Sequence, residues 1–342
     1  MDQSKHVAVS ALMMSPYRER QGAAMRIGLM VEGQNGLNWE RWRHILALAE
    51  RLKFPSVFRS DHYFHFIGQQ QDSLDAFLSF VMAASETKTI RFGQLVSPVT
   101  FRSPVDVGRM MAQISVLSGG RYVMGLGAGW NEGEHTAYGL PFPPVKERFE
   151  RLEEAVQLIR ALHEPGPTTF AGKYYQVTGA DCLPKPVTRP TLIIGGGGEK
   201  KTLKLVAKYA DEWNGVGMTA EVFKHKLEVL GQHCEAVGRD PRSIHKSMMN
   251  FALVGPNEAA LDRATERFMA MRGMTASGSL ADFRAASRAR GMIAGTTSEV
   301  VDQLGRLAEL GMEEVQFQHF NFDSDEVPEY LASEIAPRVR NL

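Results

Sequence analysis

Residues 90–127, IRFGQLVSPVTFRSPVDVGRMMAQISVLSGGRYVMGLG, decide the predicted fold. Two short apolar runs, at 90–96 and 121–127, are typical of β-strands that are buried on both faces. Between them, residues 104–117 have the apolar spacing of a helix, and Pro104 falls in the first turn, where a helix tolerates proline. Together they predict a strand–helix–strand unit of a parallel sheet.

The same alternation extends over most of the chain. Strands are predicted at 27–31, 56–59, 90–96, 121–127, 191–194, 212–216, 245–254 and 314–320. Helices are predicted at 39–52, 74–85, 104–117, 146–162, 200–209, 221–237, 258–271, 298–310 and 326–340. About eight such units in roughly 300 residues favour an α/β fold of the (β/α)8 TIM-barrel type. A doubly wound open sheet is the alternative.

Three long segments interrupt this alternation, at 129–145, 168–190 and 272–296. The second contains TTFAGKYYQV, which predicts an inserted hairpin, and the third is a polar loop punctuated by glycine. Loops longer than about 12 to 15 residues are usually functional or disordered, and the loops that follow barrel strands form the active site at the C-terminal face. We therefore expect these loops and the hairpin at that face, as walls or lids of one pocket.

The composition limits the classes of function. The chain has 342 residues with 39 basic and 39 acidic side chains, so its formal net charge is zero. This balance argues against nucleic-acid partners and a polybasic membrane anchor, because little would attract phosphate groups. Two cysteines, Cys182 and Cys234, cannot form a disulfide scaffold or a zinc site. No apolar run approaches the roughly 18 residues of a membrane span, so we expect a cytoplasmic protein with no metal and no membrane partner.

Regular structure is predicted to begin at Met25. Residues 1–24 have no signal-peptide pattern and no pattern of burial, so we interpret them as a disordered leader, with a docking arm as the alternative. Residues 25–342 are predicted to form a single barrel domain.

The first candidate catalytic residues follow the second predicted strand. Asp61 and His62 lie in RSDHYFHF, and a carboxylate beside an imidazole can hold its tautomer for proton transfer. In the alternative interpretation, Asp61 caps the loop and His62 only packs. A metal site would use both residues with His65, but no second cluster of ligands completes it.

Two glycine-rich runs follow the fourth and fifth predicted strands. In GLGAGWNE, at 125–132, glycines would let the backbone approach a planar ligand, and Asn131 could bond to the edge of its ring. The GGGG run at 195–198 leads into a helix, so free amides there, with Lys200 and Lys201 nearby, predict an anion site. Tight or flexible turns are the alternative in both places.

Several motifs in the same order resemble the bacterial luciferase-like family of (β/α)8 oxidoreductases, and in particular its branch that uses the deazaflavin coenzyme F420. The similarity runs from Met25 to about residue 320. The motifs are RSDHY at 59–63, LVSPVTFRSP at 95–104, LSGGRYVMGLGAGWNEGEHTAYG at 117–139, KERFERLEEA at 146–155, GKYYQV at 172–177, LPKPVTRP at 183–190 and IIGGGGEKKTLKLVAKYADEWN at 193–214.

The resemblance implies a set of site residues. It identifies His62 as a proton-transfer group and places Asp61 against the coenzyme ring. It implies a non-proline cis peptide behind the ring at Leu95 and Val96. The implied coenzyme-binding residues are Asp61, Leu95, Val96, Ser97, Ala128, Gly129, Asn131, Arg148, Gly196, Gly197, Glu199 and Lys200.

One position departs from the sugar-phosphate dehydrogenases of this family. They place a catalytic glutamate where this chain has Trp130, and the nearest acids here are Glu132 and Glu134. Oxidation of glucose 6-phosphate is therefore not expected. Glu32, Phe66 and Trp130 are predicted to face the substrate.

The resemblance implies that a homodimeric enzyme transfers a hydride between F420 and an unidentified small organic substrate. The deazaflavin is an obligate hydride carrier, whereas reduced FMN reacts with oxygen. The RSDHY motif favours the deazaflavin. An FMN-dependent monooxygenase is the first alternative, and a protein that binds the coenzyme without turnover is the second.

Overall fold

The computed structural model describes residues 25–66, 69–275 and 278–340; the predicted leader, residues 1–24, lies outside the described residues. Eight parallel strands form a closed barrel in which β9 pairs with β10 and β12 pairs with β1. The barrel strands are β1 (Arg26–Val31), β2 (Ser56–Arg59), β3 (Arg91–Gln94), β5 (Tyr122–Gly127), β8 (Thr191–Gly195), β9 (Glu212–Val216), β10 (His245–Gly255) and β12 (Glu314–His319). The predicted TIM barrel is confirmed, and the open sheet is wrong.

Further strands and the helices surround this barrel. The further strands are β4 (Ser97–Pro98), β6 (Thr168–Ala171), β7 (Gln176–Ala180) and β11 (Ile293–Thr296). The helices are α1 (Trp39–Arg51), α2 (Ala76–Glu86), α3 (Pro104–Leu117), α4 (Glu132–Ala137), α5 (Val145–His163), α6 (Thr202–Tyr209), α7 (Ala220–Glu235), α8 (Glu258–Met271), α9 (Leu280–Ala289), α10 (Thr297–Glu309), α11 (Glu326–Tyr330) and α12 (Ala336–Val339). A π-helical segment, Leu331–Ile335, joins the last two helices.

Local sequence signals set the helix boundaries. The Asn38 side chain accepts a hydrogen bond from the Arg41 amide at the start of α1, and Ser103 caps α3 just before Pro104. Both arrangements satisfy amides that the first helical turn leaves without partners. The face of α1 that carries Trp42, Ile45 and Leu46 is buried, with Trp42 fully enclosed.

The segment 272–296 contains more regular structure than the sequence predicts. It forms α9 and β11, and β11 pairs in parallel with the C-terminal half of β10. A capping box between Ser279 and Asp282 begins α9, and two reciprocal hydrogen bonds of this kind stabilise a helix start. The prediction of a glycine-punctuated loop was wrong over α9 and β11.

The hairpin of β6 and β7 lies on the outside of the barrel. The Glu154 carboxylate on α5 accepts backbone hydrogen bonds from Lys173 (2.9 Å) and Tyr174 (2.8 Å), and Thr168 donates to the Ala161 carbonyl (2.9 Å). None of its residues lines the main cavity described below. The expectation of a hairpin in the pocket wall was wrong, because this insertion follows a helix and packs along that helix.

Paired charges fill the N-terminal end of the barrel. The Glu314 carboxylate lies 2.6 Å from Arg26 and 3.5 Å from Arg91, and Glu212 lies 3.2 Å from Arg91. Burial alone would raise the pKa of Glu314, but the charges of Arg26 and Arg91 lower it. The carboxylate therefore stays ionised in this network.

Candidate active site

A cavity of about 590 Å³, the main cavity, lies at the C-terminal ends of the barrel strands. It occupies the face where barrel enzymes carry their active sites. The predicted site residues that line it are Glu32, His62, Phe66, Leu95, Val96, Gly129, Trp130 and Gly196. Sequence reasoning therefore identified residues on several separate strands that the fold brings together.

Arg59, the last residue of β2, anchors the loop that carries the Asp-His pair. Its buried guanidinium donates to the carbonyl oxygens of Ser60 (3.0 Å) and Leu74 (2.8 Å) and to Ser79 Oγ (3.0 Å). Burial lowers the pKa of Arg59 to about 10, so the group remains charged at neutral pH. A Cβ at Gly33 would lie 2.3 Å from the guanidinium, and glycine is therefore required beside it.

His62 pairs with Glu134 rather than with Asp61. Its Nδ1 lies 2.8 Å from Glu134 Oε2, while Glu134 Oε1 accepts the Tyr63 amide at 2.7 Å. Asn131 caps α4 by accepting the Glu134 amide, which positions the carboxylate under the ring. An ionised carboxylate only accepts hydrogen bonds, so Nδ1 carries the proton and Nε2 is the basic nitrogen. None of the described residues bonds to Nε2, and His62 lines the main cavity.

Asp61 is buried in a separate network, so the sequence-based pairing of Asp61 with His62 was wrong. Its Oδ2 accepts from Ser97 Oγ (2.6 Å) and Arg102 (2.6 Å), and its Oδ1 accepts from Arg102 (3.1 Å). Arg102 also donates to Asp75 at 2.8 Å. Burial opposes the charge of Arg102, but Asp61, together with Tyr63 and Asp75, raises the Arg102 pKa above its usual value. This network ties the loop after β2 to the segment that follows β3.

The peptide bond between Leu95 and Val96 is cis, as the resemblance implied. Both residues line the main cavity just after β3. A Cβ at Gly127 would lie 2.6 Å from a methyl of Val96, and one at Gly195 would lie 2.9 Å from its other methyl. Glycines on β5 and β8 therefore make room for the Val96 side chain, and the three strand ends form one apolar wall.

The glycine run after β8 leads to the N-terminus of α6, as predicted. Gly196 has φ +116 and lines the main cavity, and a Cβ at Gly197 would meet nothing within 4 Å. The Glu199 carboxylate pairs with Lys226 on α7, so only its backbone amide can serve a ligand here. Lys200 is exposed beside this run.

Two implied coenzyme contacts are used within the protein instead. The Arg148 guanidinium donates to the Pro143 carbonyl at 2.6 Å and lies 3.9 Å from the centre of the Phe142 ring. The Asn131 side chain caps α4, and neither residue lines the main cavity. Ala128 also stays outside the lining.

A second polar network lies at the ends of β1 and β12 and reaches Ser60 in the loop after β2. Glu32 accepts hydrogen bonds from Gln318 and from Gln34 (2.9 Å), and Gln34 accepts one from Ser60 Oγ (2.6 Å). Gln318 Oε1 is buried and has no hydrogen-bond partner among the described residues. Glu32 thus faces the cavity as predicted, with its oxygens already engaged.

Aromatic rings form the rim of the cavity beside His62. Phe66 meets the imidazole edge-to-face with centroids 4.7 Å apart, and Trp130 does so at 5.7 Å. Trp130 is 67% exposed, so much of the indole is available to a ligand.

Sequence reasoning missed the residues that β10, β12 and the end of α8 contribute. Met249, Met271, Arg272, Gln318 and Phe320 line the main cavity and were not predicted as site residues. The alternation in VQFQHF, at 315–320, could have indicated Gln318, because alternate residues of a strand share a face. No comparable signal marks Met271 or Arg272.

Residues 25–66, 69–275 and 278–340 contain neither a cluster of metal-ligating side chains nor a membrane-spanning helix. No group of three metal-ligating side chains lies close enough together to hold a metal ion. No helix in these ranges has the length and apolar character to cross a membrane.

Curated relatives include F420-dependent dehydrogenases. One from Nocardia farcinica, described as an F420-dependent glucose-6-phosphate dehydrogenase, is 30% identical over 324 residues, which is 87% of this chain and 93% of that protein. An F420-dependent hydroxymycolic acid dehydrogenase from Mycobacterium tuberculosis is 29% identical over 214 residues, which is 62% of this chain and 58% of that protein.

A solved structure matches the fold of this chain, and a family profile matches most of its sequence. A solved F420-dependent secondary alcohol dehydrogenase, in complex with an F420-acetone adduct, matches with a TM-score of 0.77 and 21% identity, over 92% of this chain and 99% of that chain. At this identity the likeness shows the fold alone. The sequence profile of luciferase-like monooxygenases matches residues 23–314. The chain belongs to the luciferase-like monooxygenase family.

Proposed function

We propose that this protein is an F420-dependent oxidoreductase that transfers a hydride between the deazaflavin and an organic substrate. The observation that carries the proposal is the His62–Glu134 pair, which presents a basic nitrogen to the main cavity beside the Leu95–Val96 wall. F420-dependent dehydrogenases are among the relatives that align with most of the chain.

The residues present fit a coenzyme with a flat ring and an anionic tail. The apolar wall of Leu95, Val96 and the flanking glycines would hold the ring, and the open backbone at Gly196 and Gly197 would admit a phosphate close to the α6 N-terminus. When bound, F420 supplies a ring carbon that accepts or gives a hydride. Glu199 and Lys200 would contribute backbone amides to the phosphate.

His62 moves the proton that accompanies the hydride. In alcohol oxidation Nε2 would take the hydroxyl proton of the substrate as its carbonyl forms, while bound F420 would supply the hydride acceptor. Glu134 keeps the proton of the ring on Nδ1 and balances the charge of the imidazolium. In the reverse direction the imidazolium returns the proton to the carbonyl oxygen.

We propose that a sugar phosphate is not the substrate. Arg272 is the one lysine or arginine among the described residues that line the main cavity, so a buried phosphate would lack a cationic cradle there. The aromatic rim at Phe66 and Trp130 and the methionines opposite favour a substrate with substantial apolar surface.

The remaining proposals rest on the sequence. We propose that residues 25–342 form one domain, that the protein works in the cytoplasm and that it forms a homodimer. The two cysteines, Cys182 and Cys234, are buried and unpaired, which suits a reducing compartment.

The test is a titration of the purified protein with F420 and, separately, with FMN, followed by absorbance. We expect F420 to bind at about micromolar concentration or tighter and FMN to bind at least about tenfold more weakly. Protein that purifies with stoichiometric FMN and consumes oxygen when reduced would instead be a monooxygenase. Protein that binds F420 but exchanges no hydride with any alcohol or ketone tested would be a coenzyme-binding protein.

A further inference from the structure

A second cavity of about 360 Å³ adjoins the main cavity. Its walls come from β10, from α8 and from the end of β12. Met271, Gln318 and Phe320 line both cavities. The two spaces therefore share a wall made of three side chains.

The buried lining of the second cavity is uncharged. Ala252, Leu253, Ala264 and Phe268 are among its apolar lining residues, and Asn321 and Ser324 are polar but uncharged. His319 is buried there, and burial lowers its pKa to about 4, so the imidazole is neutral at physiological pH. Such a lining favours hydrocarbon and disfavours ions, because an unpaired buried charge is costly.

The charged residues of this cavity are satisfied by each other. Arg267 and Glu326 form a salt bridge at 3.0 Å, and the side chain of each is about half exposed. They belong to the solvent side of the space.

Of the side chains in the shared wall, Phe320 is held in place by stacking and Met271 is flexible. Phe320 stacks on Phe251 with centroids 5.7 Å apart and an angle of 11°, which holds its ring in place. Met271 has an unbranched side chain with three rotatable bonds, and methionine readily adapts its shape to what packs against it. Gln318 adds, at the same wall, a buried carbonyl oxygen that has no hydrogen-bond partner within the described part of the chain.

A third, smaller space also touches this wall but has different chemistry. It measures about 250 Å³ and is lined by Met271 and Phe320 together with the Arg41–Asp323 salt bridge, at 2.7 Å. Its polar and charged lining is a poor match for an aliphatic group. The second cavity is the one suited to hydrocarbon.

We propose that the second cavity is a subsite for an alkyl chain of the substrate, which reaches it past Met271 while the reacting carbon stays in the main cavity. The term substrate rests on the proposed function; the binding of the chain does not. Where the substrate carries a hydroxyl or amide group near the start of the chain, Gln318 Oε1 accepts a hydrogen bond from that group. The substrate class is therefore an alcohol or ketone that carries an unbranched apolar chain.

The test uses methyl alkyl ketones from butanone to dodecanone, bound to protein free of coenzyme and measured by calorimetry. Each buried methylene is worth about 0.8 kcal/mol, or up to about fourfold in Kd. We expect the Kd of the wild type to fall by about two- to fourfold per added methylene, until the second cavity is full.

The variant Ala264→Phe fills the second cavity from α8, far from His62. It is expected to abolish the gain with chain length and to raise the Kd of the longest ketones at least about tenfold, with butanone unchanged. Ala259→Phe is the matched control, because Ala259 lies on the same helix, is exposed and is not part of the lining. If thermal unfolding shows that Ala264→Phe does not fold, Ala252→Leu narrows the cavity from β10.

Two results would overturn the proposal: an equal dependence on chain length in Ala264→Phe and Ala259→Phe, or no dependence in the wild type. F420 titration of the same proteins separates this outcome from failure of the proposed function. Ketone binding that depends on chain length, without hydride transfer to F420, removes the redox assignment and leaves the subsite. Loss of that dependence with intact F420 chemistry removes only the subsite.

Discussion

Two hydrogen-bond networks at the main cavity, that of Asp61 and Glu134 and that of Glu32 and Gln318, differ in how completely their polar groups are paired. Outside both networks, the buried Nδ1 of His65 after β2 also has no partner among the described residues. On the side of β2, β3 and β5, both oxygens of Asp61 and both oxygens of Glu134 accept hydrogen bonds from the protein. On the side of β1, β10 and β12, Gln318 Oε1 is buried without a partner among the described residues, beside the adaptable Met271. A fully paired network fixes geometry, whereas an unpaired acceptor leaves a position for a ligand. The first side suits a constant coenzyme, and the second suits a substrate.

The largest expected effect is a loss of folding stability when the buried Asp61 network is broken. Replacing Arg102 with leucine leaves the Asp61 carboxylate buried without its cation, and breaking a buried pair in this way costs about 3–5 kcal/mol. Denaturant unfolding should show this loss for Arg102→Leu. Arg43→Leu, which breaks a surface pair with Glu86, should change the unfolding free energy far less. Equal losses in the two variants would mean that the Asp61 network does not hold the side of β2, β3 and β5 together.

The next effect concerns proton transfer. Removing the imidazole in His62→Ala should lower turnover by roughly a hundredfold or more, the usual scale for a lost general acid or base. The affinity for F420 should change much less. Steady-state kinetics with the best alcohol found, together with an F420 titration, measure both.

His65→Ala is the control for His62, because His65 lines the same cavity without a carboxylate partner among the described residues. It should retain turnover within a few-fold of wild type. If His62→Ala keeps its turnover and loses only coenzyme affinity, His62 is a packing residue.

A smaller effect is expected for the residue that positions His62. Glu134→Gln preserves the shape of the side chain but removes the charge that holds Nδ1–H, so kcat should fall by about tenfold while F420 affinity and unfolding temperature stay unchanged. Glu132→Gln alters an exposed acid on the same short helix and should leave kcat at the wild-type value. A parallel fall in both variants would trace the effect to α4 rather than to the His62 pair.

The smallest effect is expected for Gln318, on the side of β1, β10 and β12. Gln318→Leu removes the free acceptor and one of the partners of Glu32, so KM for an alcohol should rise by a few-fold, in line with about 1 kcal/mol for one hydrogen bond. Kinetics should show kcat nearly unchanged, and an F420 titration should give the wild-type Kd. A comparable loss of F420 affinity would show that the side of Gln318 also binds the coenzyme and is not reserved for the substrate.

Part of the site was predictable because neighbours along the chain carry its signals. The resemblance implied roles for His62 in RSDHY and for the Leu95–Val96 cis peptide, and the structure puts both at the main cavity. Two other implied contacts, Asn131 and Arg148, have local partners in the structure. Asn131 caps its own helix and Arg148 bonds to Pro143, and neither side chain lines the main cavity.

The sequence by itself determined the alternation of strands and helices, because apolar spacing in each element follows from local geometry. It also determined that Asp61, His62 and the glycine runs end strands on one face of a barrel. Only the tertiary structure decided that Glu134, 72 residues away, is the partner of His62, and that the 168–180 hairpin packs outside α5. Closure of the barrel brings strand ends together regardless of their separation along the chain. Hydrogen-bond partners depend on the distance between side chains in space, which no local sequence pattern records.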